Sequence, residues 1–135
     1  MKWMLDTNIC IAIINRRSER AYKRLLSLVP GDAGLSAVTM AELEFGVAKS
    51  LRVQQNREAV DGFILALEVA PFDASAAAAY GEVRASLQKR GLPIGALDMM
   101  IAGHALSLGV PLVTDNLKEF TRVPGLRTVN WLNRG

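Results

Sequence analysis

Short apolar runs alternate with longer stretches of helical periodicity along the whole of this 135-residue chain. That alternation restricts the fold to an α/β architecture with helices packed on a mainly parallel sheet. The pattern predicts strands at Lys2 to Leu5, Ala33 to Val38, Glu68 to Phe72 and Val110 to Thr114, with a last edge strand between Val123 and Trp131. Helices are expected from Thr7 to Asn15, Glu19 to Val29, Thr39 to about Ser50, Gln54 to Leu67, Ala74 to Arg90 and Ala96 to Leu108, plus a short one ending at Phe120. Gly91 and Gly109 are placed to stop the fifth and sixth helices, as glycine commonly does.

With half of its residues hydrophobic, the chain has material for one substantial core. There is no low-complexity stretch, repeat or Gly/Ser linker, so residues 1–135 read as a single domain. The lone cysteine, Cys10, allows no internal disulfide and sits between Ile9 and Ile11 as a small buried side chain. No run approaches the roughly 20 apolar residues that span a bilayer. The apolar start after Lys2 is interrupted by Asp6 and Asn8, unlike an export signal. A cytoplasmic protein without membrane contact is expected.

Two of the predicted strands end alike. Trp3-Met4-Leu5 runs into Asp6-Thr7-Asn8, and Pro111-Leu112-Val113-Thr114 runs into Asp115-Asn116. In open α/β sheets ligands bind beyond the carboxyl ends of the strands, where the strand order switches direction. If the two strands are neighbours, Asp6 and Asp115 face one crevice. Two further acids stand at helix starts: Glu42 after Ser36-Ala37-Val38-Thr39, and Asp98 among Ala96, Leu97, Met99, Met100 and Ile101.

Each acid also has a purely local explanation. Asp6 and Asp115 suit N-caps, and Asp98 suits a first-turn acid facing the helix dipole. Thr39 and Glu42 have the spacing of a capping box, and for Glu42 that is the stronger reading on local grounds. Caps and function are compatible, because helix starts can converge. Two carboxylates 5 Å apart repel by about 3 kcal/mol at an effective dielectric near 20. Four acids gathered together would need a cation or bound protons. An all-oxygen set suits Mg²⁺ or Mn²⁺ and not Zn²⁺. Such an ion activates water and neutralises charge on a phosphodiester under in-line attack.

Other chemistries lack their residues. His104 is the only histidine, set in the apolar run Ile101 to Leu108 as a core or helix-surface residue, so a two-histidine dyad is excluded. No dinucleotide fingerprint, phosphate loop or nucleophile elbow is present. Sixteen Lys and Arg against 13 Asp and Glu leave a net charge of +3. Arg16, Arg17, Arg20, Lys23 and Arg24 cluster; a solvated helix face and a polyanion-binding patch both fit them. Arg84 and Lys89 are weaker candidates for the same role.

The segments Met4-Leu5-Asp6-Thr7-Asn8, Ser36 to Leu43, Ile94 to Ala102 and Leu112-Val113-Thr114-Asp115-Asn116, in this order and at these intervals, resemble the PIN-domain ribonucleases. More narrowly they resemble the VapC toxins of type II toxin–antitoxin systems. The resemblance covers essentially the whole chain. It implies a three-layer α/β/α sandwich and a Mg²⁺-dependent endoribonuclease that cleaves structured RNA, such as transfer RNA, and so inhibits translation. Asp6, Glu42, Asp98 and Asp115 fall on the family's acidic, metal-holding positions, and many close relatives have Asn where this chain has Asp115. Thr7, Asn8, Thr114 and Asn116 fall on supporting polar positions. Glu119, one turn beyond Asp115, reads as a surface acid or as an outer-shell substitute. The resemblance further implies a VapB-type antitoxin, a homodimer, and larger complexes that touch DNA only through the antitoxin. The competing reading is a catalytically weak PIN-fold module that binds RNA or protein.

Overall fold

The computed structural model describes residues 1–132; the last three residues of the expected 1–135 domain lie outside the described residues. The elements in order are β1 (Trp3–Leu5), α1 (Thr7–Ile14), α2 (Glu19–Leu26), β2 (Ala33–Ser36), α3 (Ala37–Ala48) and α4 (Val53–Ile64). They are followed by β3 (Glu68–Ala70), α5 (Ala74–Lys89), α6 (Ala96–Leu108), β4 (Leu112–Val113), α7 (Leu117–Phe120) and β5 (Thr128–Val129).

All the strand pairings are parallel, in one sheet of order β3-β2-β1-β4-β5. The chain builds outward from β1 in one direction through β2 and β3, then in the other through β4 and β5. The switch point therefore lies between β1 and β4, where Met4 pairs with Leu112 and Leu5 with Val113. Because successive strand residues point to opposite faces, Met4 and Leu112 enter one core with Val83, Leu87, Ile101 and Ala105. Leu5 and Val113 enter the other with Ile9, Ile13, Leu35 and Val60. Helices α5 and α6 supply the first layer and α1, α2 and α4 the second. This is the three-layer α/β/α sandwich expected from the sequence.

Several boundaries differ from expectation for local reasons. The second strand stops at Ser36 and α3 begins at Ala37, because the Ser36 hydroxyl caps the helix by accepting from Val38 N at 3.0 Å. Thr39 is thus a buried helical residue and the Thr39/Glu42 capping box does not form. Helix α2 ends at Leu26, where the Ser27 hydroxyl bonds back to Arg24 O at 2.6 Å. Strand β3 ends before Pro71, and β4 holds only Leu112 and Val113. Gly91 and Gly109 have left-handed φ values of 65° and 68° and close α5 and α6 as anticipated. Cys10 is buried.

The α5–α6 pair depends on one close approach. A Cβ on Gly103 would lie 2.6 Å from the Tyr80 backbone nitrogen and 2.7 Å from its Cα. No side chain fits there, so glycine sets the distance between the helices. Among the described residues no helix is long and apolar enough to cross a membrane.

Candidate active site

The carboxyl ends of β1 and β4 open onto a small cleft of about 200 Å³ lined by Asp6, Thr7, Asn8, Glu42, Asp98, Asn116 and Phe120. Asp6 follows β1 directly. It caps α1 by accepting from Ile9 N at 2.8 Å, and is only 3% exposed. Glu42 arrives from the second turn of α3, where its Oε1 accepts from the Thr7 hydroxyl at 2.5 Å. Thr7 also lies 3.3 Å from the buried Thr39 hydroxyl. Glu42 is therefore held by a residue 35 positions earlier in the chain, not by the start of its own helix. Asp98 comes from the first turn of α6, its Oδ2 turned back so that a Cβ on Gly95 would meet it at 3.4 Å. Three acids from three helices thus line one cleft at the strand-order switch.

Burial and mutual repulsion both act on these acids. The Asp6 carboxyl is pushed up to about 6, chiefly by burial and further by the charges of Asp115 and Asp98. The Thr114 hydroxyl and the Ile9 N–H oppose the shift by favouring the ionised form. Asp98 is also raised, first by burial, then by Glu119 and Glu42. In both, burial acts first and like charge adds to it in the same direction.

The remaining expected residues fall around the cleft. Asp115 is exposed and lines the neighbouring pocket with Asn8 and Arg17, close enough for its charge to raise Asp6. It is not an N-cap: Asn116 precedes α7, and its N–H donates to the buried Thr114 hydroxyl at 3.0 Å. The residue underweighted by sequence is Glu119. Its Oε2 accepts from Asn116 Nδ2 at 3.1 Å, and its charge bears on Asp98 ahead of that of Glu42. The Asn116-x-x-Glu119 spacing, which puts the two side chains on one helical face, was the available signal.

The basic cluster divides. Arg16 stacks 3.6 Å above the Tyr22 ring, and Arg24 lies 5.8 Å from both the Trp3 and Trp131 rings. Arg20 and Lys23 are exposed on α2, and Arg17 reaches the pocket beside the cleft. Arg84, on α5, bonds the Tyr80 hydroxyl at 2.7 Å. His104 is a buried core residue whose Nδ1 meets the Ser36 hydroxyl at 2.7 Å and whose pKa burial lowers.

Among the described residues no three acidic, histidine or cysteine side chains close into a ready-made metal cage. The donor set nevertheless fits Mg²⁺. That ion binds through one or two carboxylates and keeps its other positions for water and substrate phosphate. A partly open cleft with three carboxylates and neighbouring hydroxyl and amide groups offers that arrangement. The larger concavity of about 490 Å³ between α1, α2 and α4 is lined by Ile13, Tyr22, Leu25 and Phe63 and holds no carboxylate, so size does not locate the chemistry.

A crevice lined by three acids and by neither cysteine nor histidine, at the switch point of a parallel α/β sheet, has the donor chemistry of a hard-cation site. Comparison with known proteins narrows that description. The PIN domain family model matches residues 3–126. The tRNA(fMet)-specific endonuclease VapC of Salmonella typhimurium is 44% identical over 97% of this chain and 98% of its own length. Ribonuclease VapC2 of Rickettsia felis is 42% identical over 97% of this chain and 98% of its own. Among solved structures, DNA-bound VapBC from Salmonella typhimurium has a chain that superposes with TM-score 0.92 at 44% identity, covering 97% of this chain and 98% of that one. The Rickettsia felis VapBC2 complex with a promoter DNA fragment gives 0.91 at 41% identity, over 97% of this chain and 99% of that one. This chain belongs to the PIN domain family and, within it, to the VapC ribonucleases.

Proposed function

We propose that the chain is a divalent-metal-dependent endoribonuclease and the toxin of a toxin–antitoxin pair, one domain over residues 1–135. The observation that carries this reading is the convergence of Asp6, Glu42 and Asp98 from three separated segments on one cleft at the β1/β4 switch point. Asp6, Glu42 and Asp98 would hold Mg²⁺ or Mn²⁺ directly or through water, with Asp115 and Glu119 adding charge from either side. A bound divalent ion supplies an activated water and neutralises developing charge on the phosphate.

The residues of the chain prepare that chemistry. Thr7 fixes the Glu42 carboxylate, and the Ile9 N–H and Thr114 hydroxyl favour the ionised form of Asp6. Asn116 orients Glu119. Water adds to phosphorus and the bond to the 3′-oxygen breaks, leaving a 5′-phosphate and a 3′-hydroxyl. Arg17, beside the cleft, and the exposed Arg20 and Lys23 would meet the RNA backbone. The relatives' names suggest initiator transfer RNA as the substrate, with arrest of translation as the consequence.

A VapB-type antitoxin is the proposed partner, in a complex that contacts DNA through the antitoxin and is built on a toxin homodimer. Two apolar grooves support a protein partner. The groove of about 490 Å³ shares Ile14 with a second of about 310 Å³, and that second groove is lined in part by Glu42, an acid of the cleft. A bound peptide would thus run from an apolar seat to the acids.

The test is purified protein with initiator transfer RNA in Mg²⁺ or in EDTA, beside the Asp98→Asn variant. Cleavage in Mg²⁺ alone, lost in the variant, is expected. RNA binding with no scission in Mg²⁺ would instead make the protein a binding module.

A further inference from the structure

Beside the acid cleft, and sharing Asn8 with it, lies a second pocket of about 500 Å³ lined by Asn8, Ala12, Arg17, Ser18, Asp115 and Leu132. Its chemistry is divided by position. Asn8 is in the first turn of α1, and Arg17 immediately precedes Ser18, the N-cap of α2, whose hydroxyl accepts from Ala21 N at 3.1 Å. Two helix N-termini and one guanidinium therefore border the pocket, an arrangement that favours a phosphate. Ala12 and Leu132 give it an apolar wall. Asp115 presents an exposed carboxylate that accepts hydrogen bonds and donates none. Arg17 and Asp115 line the same space without closing on each other: among the described residues no ion pair joins them within 4.0 Å.

A nucleotide has the same three parts: a charged phosphate, a flat apolar face and a polar edge. We infer that this pocket holds a nucleotide flanking the scissile phosphate, with Arg17 on its backbone phosphate and Asp115 on its base edge, and that Asp115 selects a base bearing an exocyclic amine over uracil. The position of the scissile phosphate rests on the nuclease reading of the adjoining cleft. Cytosine, adenine and guanine each carry an amino group that can donate to a carboxylate. Uracil carries carbonyl oxygens in the corresponding places, which a carboxylate repels, and its one edge donor, N3–H, lies between two of them, whereas the cytosine amine has a free side next to C5–H. Asp115 is thus a specificity residue standing one side chain away from the acids of the cleft.

The test is fluorescence anisotropy with labelled hexacytidylate and hexauridylate in EDTA, where nothing is cut. A charge-assisted hydrogen bond is worth about tenfold in affinity, so the wild-type protein is expected to bind the cytidine oligomer about ten times more tightly. Asp115→Asn, whose amide can donate to a carbonyl, should bring the ratio to within about twofold of one by removing that discrimination. Arg17→Ala should weaken both oligomers by about fivefold or more and leave their ratio intact, because a phosphate contact carries no base information. Equal wild-type affinities, an unchanged ratio in Asp115→Asn, or undiminished binding by Arg17→Ala would each overturn the subsite. Since binding is read without cleavage, such a result is separate from any failure of the nuclease assay.

Discussion

Helix α6 is one apolar segment whose middle and first turn obey opposite rules. In its middle, Gly103 lets the helix meet Tyr80 at backbone distance, and Ile101, Ala102 and Ala105 are fully buried. At its start, Asp98 shares a cleft with Asp6 and Glu42, and burial and like charges raise its pKa. The middle of the helix is close-packed and contributes stability. The first turn gathers groups that disfavour one another and that a folded core alone would not assemble. Burial and like charge raise both Asp6 and Asp98, which stand where the carboxyl ends of β1 and β4 open onto the cleft.

Substitutions should separate the two parts. The largest effect is expected at Asp98. Asp98→Asn should reduce RNA cleavage by about a thousandfold or more, about 4 kcal/mol of transition-state stabilisation. Its melting temperature should hold or rise, and calorimetry beside single-turnover kinetics reads both. A variant that loses activity only because it unfolds would break the contrast.

Next is Asp6. Its folded pKa of about 6 lies above the ordinary 3.8, so the folded protein keeps a proton that the unfolded chain releases between about pH 4 and 6. Stability should therefore fall as pH rises through that window and then level off. The ionised carboxylate costs at most about 3 kcal/mol above pH 6. Asp6→Asn keeps an oxygen for the Ile9 N–H and should be more stable than wild type at pH 8. The gap should close towards pH 4 in urea titrations at the two pH values.

Gly103→Ala should act the other way, lowering stability by about 1–3 kcal/mol through overpacking against Tyr80. Turnover per folded molecule should be preserved when cleavage is normalised to the folded fraction. The smallest effect is expected at Thr7→Val, which frees the Glu42 carboxylate. Loss of that hydrogen bond should lower cleavage by about tenfold, about 1.4 kcal/mol, with little change in unfolding.

The layered fold and the switch-point position of Asp6 were legible because they follow from strand–helix alternation and from two strands ending in the same polar pattern. The Ala-rich α5 and the Gly109 stop of α6 were legible from propensity and capping. The start of α3 was not. Thr39 and Glu42 have the spacing of a box, but Ser36 caps the helix first and burial takes Thr39 into the interior. Glu42 was then free to meet Thr7, a contact across 35 residues that no local rule anticipates. For Asp115 and Glu119 the sequence shows only their place after β4. Which of them faces Asp98 depends on the turn into α7, set by the Asn116 N–H to Thr114 hydroxyl bond.

Convergence of the acids can be observed directly. In a heteronuclear NMR spectrum of the protein, substoichiometric Mn²⁺ should broaden the amide signals of residues 6–8, 42, 98 and 116–119 together. Those of α4 and the far end of α5 should stay sharp. Broadening scattered over unrelated surface acids, or none at these positions, would contradict a shared metal-binding cleft.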